Sequence, residues 1–257
     1  MVQVHHLNCV EIQAPVGGRA IGHCLLVQTD DRLILIDTGI GLQDTLTPLE
    51  RLGQPLIDEV GFQLNEASTA FRQIERMDLD PHRVTDCILT HLDPDHAGGL
   101  ADFSQAQVHV SSEEYENFKS GNPRYLPIQL AHRPALRTYA ASDDTWLGWE
   151  ARKITGIPNV ELYLIPLFGH TLGHCGVALQ TPSGWILYAG DAYYLRAELT
   201  EEHHPIDALA TLRADANDKR KETLKRLREF VAAYPDVLVF GYHDPEEWKA
   251  IVADKPL

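Results

Sequence analysis

The chain has 257 residues, enough for one large domain with a buried core, and its 44% apolar, 23% charged composition without low-complexity tracts excludes a mainly disordered protein. A formal net charge of −15 repels phosphate backbones and sets a nucleic-acid partner aside. No apolar run approaches the roughly 20 residues that cross a bilayer, Met1–His6 lacks the basic start of a secretory leader, and Cys9, Cys24, Cys87 and Cys175 are too scattered for a disulfide framework, so a single domain over 1–257 in the cytoplasm is expected.

The first forty residues read as strands. Gly22–Gln28 is an apolar run, Asp30-Asp31 turns the chain, and Arg32–Ile36 alternates before Asp37-Thr38-Gly39, which makes a hairpin-like pair. Residues 41–66 hold Gly, Pro and Leu without clean period and are expected to be loop with partial helix. Ser68–Met77 starts with a capping residue and places Phe71, Ile74 and Met77 on one face of a helix. Asp86–Thr90 and Gln107–Val110 read as strands, and Ser111–Lys119 as a helix capped by its serine. Residues 120–150 show no period and are expected to be an irregular insertion, of the kind that often belongs to a site. Strands return at Val160–Pro166, Cys175–Thr181 and Trp185–Tyr188. Asn217–Tyr234 is an amphipathic helix with Leu224, Leu227, Phe230, Val231 and Tyr234 on one face, followed by a last strand, Val237–Phe240, and a terminal helix. Two such halves suggest two sheets packed together with helices outside.

Thirteen histidines are the first sign of metal chemistry, and their placement is the stronger one. His91, Asp93, Asp95 and His96 follow one strand, His170 a second, Asp191 a third and His243 a fourth. Strand-end loops can gather such side chains on one edge of a scaffold. Imidazole with carboxylate suits zinc, iron or manganese, and two ions with one shared carboxylate need about seven donors. Those seven residues supply them.

The run Thr90-His91-Leu92-Asp93-Pro94-Asp95-His96-Ala97-Gly98-Gly99 resembles the H-x-H-x-D-H signature of the metallo-β-lactamase superfamily. Asp37-Thr38-Gly39, Gly169-His170-Thr171-Leu172-Gly173-His174, Gly190-Asp191 and Gly241-Tyr242-His243-Asp244 resemble four further segments of that family, in the same order. The resemblance implies a four-layer αββα sandwich of the α+β class. It also implies two divalent ions, zinc first, with His91, position 93 and His170 on one, Asp95, His96 and His243 on the other, and Asp191 bridging. One position departs: Asp93 stands where the family has its second histidine. Two readings stay open there, a carboxylate ligand that shifts preference toward iron or manganese, and a cap on the helix that begins near His96.

Tyr194, three residues after Asp191, resembles the D-x-x-Y arrangement of the lactone-hydrolysing branch, in which the hydroxyl meets the substrate carbonyl. A core tyrosine is the alternative, and Tyr193 competes for the role. His174 and Asp37 are expected to orient ligands, His5, His6, His203 and His204 to be solvated, His132 and Arg133 to be candidates for an anionic substrate group, and Cys175 to be a small buried residue. The expected activity is hydrolysis of a small ester or lactone by a hydroxide that the metals generate, with Asp95 and Tyr194 as catalytic groups. A glyoxalase II-like thioesterase and an iron oxidoreductase of the same fold are the alternatives. The partner is a small molecule, without nucleic acid or membrane, and a homodimer stays open.

Overall fold

The computed structural model describes residues 2–16 and 18–253. The chain divides into two compact units, Met1–Val110 with Phe118–Arg137, and Ser111–Asn117 with Thr138–Leu257.

The first unit is built on a seven-stranded sheet. β1 (Gln3–Ala14) and β2 (Gly18–Gln28) form a long antiparallel hairpin whose register shifts between Asn8 and Glu11. β3 (Leu33–Ile36) follows antiparallel to β2, and its four residues are all buried. A strand covered on both faces reads as a continuous apolar run rather than an alternating one. The segment 41–66 folds into three short helices, α1 (Leu42–Leu46), α2 (Pro48–Arg51) and α3 (Gln54–Val60), and then β4 (Phe62–Gln63), which pairs with β1. Val10, Ile12, Ile40, Leu52 and Phe62 make a core beneath these helices, with Leu56, Ile57 and Val60 against it. The N-terminus of α1 is held by carboxylates: Asp44 accepts from the Gly41 amide at 3.0 Å, and Asp102 accepts from the Leu42 and Gln43 amides at 2.6 and 3.3 Å.

The helix expected over Ser68–Met77 is α4 (Ala70–Arg76), capped by Thr69, whose hydroxyl accepts from the Arg72 amide, rather than by Ser68. β5 (Val84–Ile88) lies parallel to β3, α5 (Pro94–Ala97) follows it, and β6 (Gln107–Ser111) lies parallel to β5. Because β3 and β5 run the same way, Asp37 and His91 leave the sheet at the same end. β7 (Ala135–Tyr139) takes the edge of this sheet.

The second unit begins with α6 (Ser112–Lys119), whose cap is Ser111, accepting from the Glu114 amide at 3.0 Å. β8 (Thr145–Trp146) and β9 (Trp149–Glu150) form a small hairpin around Leu147 and Gly148, both at positive φ. The stretch 120–150 is thus not wholly irregular; two-residue strands carry no periodicity, and a Leu-Gly turn lacks the usual Asn-Gly signal. β10 (Arg152–Lys153), β11 (Leu162–Pro166), β12 (Cys175–Thr181) and β13 (Gly184–Tyr188) form an antiparallel ladder. After α7 (Asp207–Arg213) and α8 (Asn217–Ala233), β14 (Leu238–Phe240) adds parallel to β13, and α9 (Pro245–Ala253) ends the described chain. α8 places Leu224, Leu227 and Phe230 in a core with Trp146, Trp149, Leu187 and Tyr193, while Tyr234 is exposed. Each such side chain taken out of water contributes about 1.5–3 kcal/mol. β11, β13 and β14 share one direction, so the loops carrying His170, Asp191 and His243 emerge from the same end of this sheet.

All four cysteines are buried thiols. Among the described residues, no helix is long and apolar enough to cross a membrane.

Candidate metal centre

In the first unit, one carboxylate organises the loop after β5. Asp37 sits at φ 53°, in the left-handed region that aspartate tolerates better than most residues. Its Oδ1 accepts from the Thr90 amide at 2.9 Å, and its Oδ2 accepts from the Thr90 hydroxyl at 2.8 Å and from His96 Nδ1 at 2.8 Å. The Thr90 hydrogen is thereby committed, so Thr90 Oγ1 accepts from His91 Nδ1 at 2.9 Å. Both imidazoles therefore carry their proton on Nδ1 and keep a lone pair on Nε2, the form that ligates metal. Thr38 fastens the same loop through its amide and hydroxyl, each donating to the His96 carbonyl at 2.8 Å. Gly39, at φ +67°, is required here: a Cβ would lie 2.2 Å from that of Cys9. Asp95 Oδ2 lies 3.9 Å from His96 Nε2.

Asp93 is the N-cap residue of α5 by position, yet its side chain makes no capping bond. The cap reading is corrected. Its carboxylate instead takes the fork of Arg124, with Nε donating to Oδ1 at 2.7 Å and Nη2 to Oδ2 at 2.8 Å. Asp93 Oδ2 also lies 3.4 Å from His91 Nε2.

In the second unit, Asp191 is central. Its Oδ2 lies 3.4 Å from His170 Nε2 and 3.2 Å from His243 Nε2. His174 ties the two loops together: its Nδ1 donates to the Leu167 carbonyl and its Nε2 accepts from the Asp191 amide, both at 3.0 Å. That places His174 in the orienting role expected of it. Gly169, at φ +133°, admits the N-terminal turn of α8, where a Cβ would come within 2.1 Å of the Arg220 nitrogen. Tyr194 is buried, with its ring against those of His170 and His243 and its hydroxyl 3.5 Å from His170 Nδ1. Its backbone is pinned by Glu198, which accepts from the Tyr194 amide at 2.7 Å. Burial holds the Glu198 carboxyl above the usual range. Tyr193 is settled otherwise: it packs in the core and its hydroxyl donates to Glu247.

Other expectations met a mixed outcome. His5 and His6 are half-buried on β1 and bond to Gln28 and His23; His203 is exposed and His204 half-buried. Arg133 is exposed, and His132 is half-buried with its pKa lowered by burial and by the Arg51 charge. Cys175 is buried at the start of β12, as expected. Arg124 was missed because its link to Asp93 spans 31 positions, and no local pattern announces such a pairing. Thr90 had no role assigned either, although it stands inside the motif.

Two donors on one tetrahedral zinc, each about 2.0–2.1 Å from the ion, lie about 3.3 Å apart. The 3.4, 3.4 and 3.2 Å spacings of His91 to Asp93, His170 to Asp191 and His243 to Asp191 match that edge. The donor set fits divalent metal.

The family model of the metallo-β-lactamase superfamily matches residues 17–243. A probable metallo-hydrolase of Mycobacterium tuberculosis is 35% identical over 95% of this chain and 81% of its own length. An N-acyl homoserine lactonase of Bacillus cereus is 26% identical over 88% of this chain and 82% of its own. Among solved structures, an N-acyl homoserine lactone hydrolase with N-hexanoyl-L-homoserine at its catalytic metal centre superposes with a TM-score of 0.75 at 20% identity, covering 96% of this chain and 95% of that one. AidC, a dizinc quorum-quenching lactonase, does so at 0.59 and 18%, covering 88% and 74%. The family implies divalent metal ions. The chain is a metallo-hydrolase belonging to the metallo-β-lactamase superfamily, and it has that superfamily's fold.

Proposed function

We propose that this protein is a dinuclear-metal hydrolase that opens a small lactone or ester. His91, Asp93 and His170 would hold one ion and Asp95, His96 and His243 the other, with Asp191 shared. The observation that carries the reading is Asp191 Oδ2, set 3.4 and 3.2 Å from two imidazole nitrogens with Tyr194 packed against both rings. The relatives named N-acyl homoserine lactonases support a lactone as the substrate class. When bound, the ions would lower the pKa of water to supply a nucleophile near neutral pH and polarise the carbonyl.

The protein's own groups do the rest. Tyr194, held by Glu198 and by the two histidine rings, would donate its hydroxyl hydrogen to the carbonyl oxygen as negative charge develops there. Asp95 takes the proton released by the attacking water and delivers it to the alkoxide set free when the ring C–O bond breaks.

Zinc is the first assignment, because four of the seven proposed donors are imidazoles; Asp93 supplies a harder oxygen donor that also suits iron or manganese. The test is metal-loaded protein assayed by pH-stat against lactones, aryl esters, thioesters and phosphodiesters. Lactone opening should dominate. Tyr194→Phe should lower kcat about 10²-fold, the scale for one oxyanion donor, with metal content unchanged. No hydrolysis across the panel, together with tightly held iron and oxygen uptake, would replace this reading with oxidative chemistry.

A further inference from the structure

The segment 118–137 reaches the metal loop through Gln129 and Arg124, and the motif explains neither contact. Gln129 donates to the Pro94 carbonyl at 3.1 Å, and Arg124 forks onto Asp93 at 2.7 and 2.8 Å. Arg124 is itself held in place: its amide donates to the Asn122 side chain at 3.1 Å, and the neighbouring Tyr125 is buried with its ring 5.8 Å from that of Phe118. Side-chain exposure of 15% for Arg124 and 14% for Asp93 puts the pair well inside the surface, where a fork of this kind is strong and orienting.

We propose that Arg124 is a positioning residue which makes Asp93 serve as the equivalent of a neutral imidazole. This rests on the dinuclear reading above. An aspartate at position 93 adds one negative charge beside His91, and the guanidinium returns one positive charge, so the pair together is neutral. The fork also decides orientation. Oδ1 and Oδ2 each accept an N–H from Arg124, which fixes the carboxylate with Oδ2 3.4 Å from His91 Nε2. A carboxylate has two oxygens and several rotamers that would otherwise compete; an imidazole in a packed loop has fewer. Arg124 removes that freedom. The segment 118–137 is therefore part of the metal site's support and not a loop appended to it.

The test uses full-length protein exchanged with cobalt(II), read by metal stoichiometry, competitive titration with a chromophoric chelator, and the visible d–d spectrum. Wild type should hold two ions. Arg124→Met should weaken one of the two by ten- to a hundredfold, the usual cost of losing a group that orients a ligand, and should alter the d–d band while the other ion stays. Arg124→Lys, which keeps the charge without the fork, should fall between. Asp93→His alone should bind one ion poorly, because the imidazole then faces the guanidinium, and adding Arg124→Met should restore tight binding. Wild-type binding of both ions by Arg124→Met, or a double variant no better than Asp93→His, overturns the role of Arg124 and leaves the dinuclear reading standing. Fewer than two ions in the wild type overturns the dinuclear reading itself, and this proposal with it. A variant that does not fold leaves the Lys substitution and the double variant to decide.

Discussion

Asp37 carries an unusual share of the site for a residue that ligates nothing in the proposed arrangement. Three bonds to its carboxylate decide the tautomer of His96 directly and that of His91 through Thr90. Asp37→Asn tolerates the left-handed backbone but exchanges one acceptor oxygen for a donor, so it sets an N–H against His96 Nδ1 or against Thr90. Metal affinity, measured by competition with a chromophoric chelator, is expected to fall at least tenfold, with secondary structure by circular dichroism unchanged. Wild-type affinity in this variant would show that the imidazoles are oriented by something else. At this scale much was legible: the metal-type residues are short-range motifs, each tied to the end of its own strand. What was not legible is pairing across distance. Arg124 lies 31 positions from Asp93, and an arginine in an aperiodic segment has no signature until the fold brings it to its carboxylate.

The elements were legible where burial imposes a period. α8 and β12 are recognisable from the sequence, because one covers a core with its apolar face and the other opens with five buried residues, Cys175 to Leu179. The short helices α1 to α3 are not, since four to seven residues hold too few turns for a pattern and depend on tertiary contacts. α1 shows the dependence well, for its first amides bond to a carboxylate 60 positions away. Burial and the nearby Asp44 charge raise the Asp102 carboxyl to about 6, against the opposing bonds from Leu42 and Gln43 and the charge of Arg51. A carboxyl whose pKa is higher folded than unfolded binds its proton more tightly in the folded chain. Its contribution to stability is full below about pH 4 and is lost as pH rises through 6. Asp102→Asn should therefore show a smaller difference in Tm between pH 5 and pH 7.5 than wild type, by differential scanning fluorimetry. Equal differences would place the ionised carboxylate at no cost.

For the whole molecule, a net charge of −15 concentrates cations near the surface and disfavours polyanions, in keeping with a metallo-hydrolase. A ligand that binds only the folded chain adds about 2.7 kcal/mol at a hundred times its Kd. At roughly 2–4 °C per kcal/mol for a chain near this size, stripping metal with a chelator should lower Tm by about 5–10 °C, and excess zinc should restore it; an unchanged Tm would mean that no ion is held. The parallel strand β14 has a further consequence, in the order of assembly. It joins β13 only after α7 and α8 have been crossed, from Tyr188 to Leu238, and such a closure is slow because the intervening chain must be ordered first. His170 and Asp191 are joined through neighbouring antiparallel strands, whereas His243 is brought beside Asp191 only by that long-range closure.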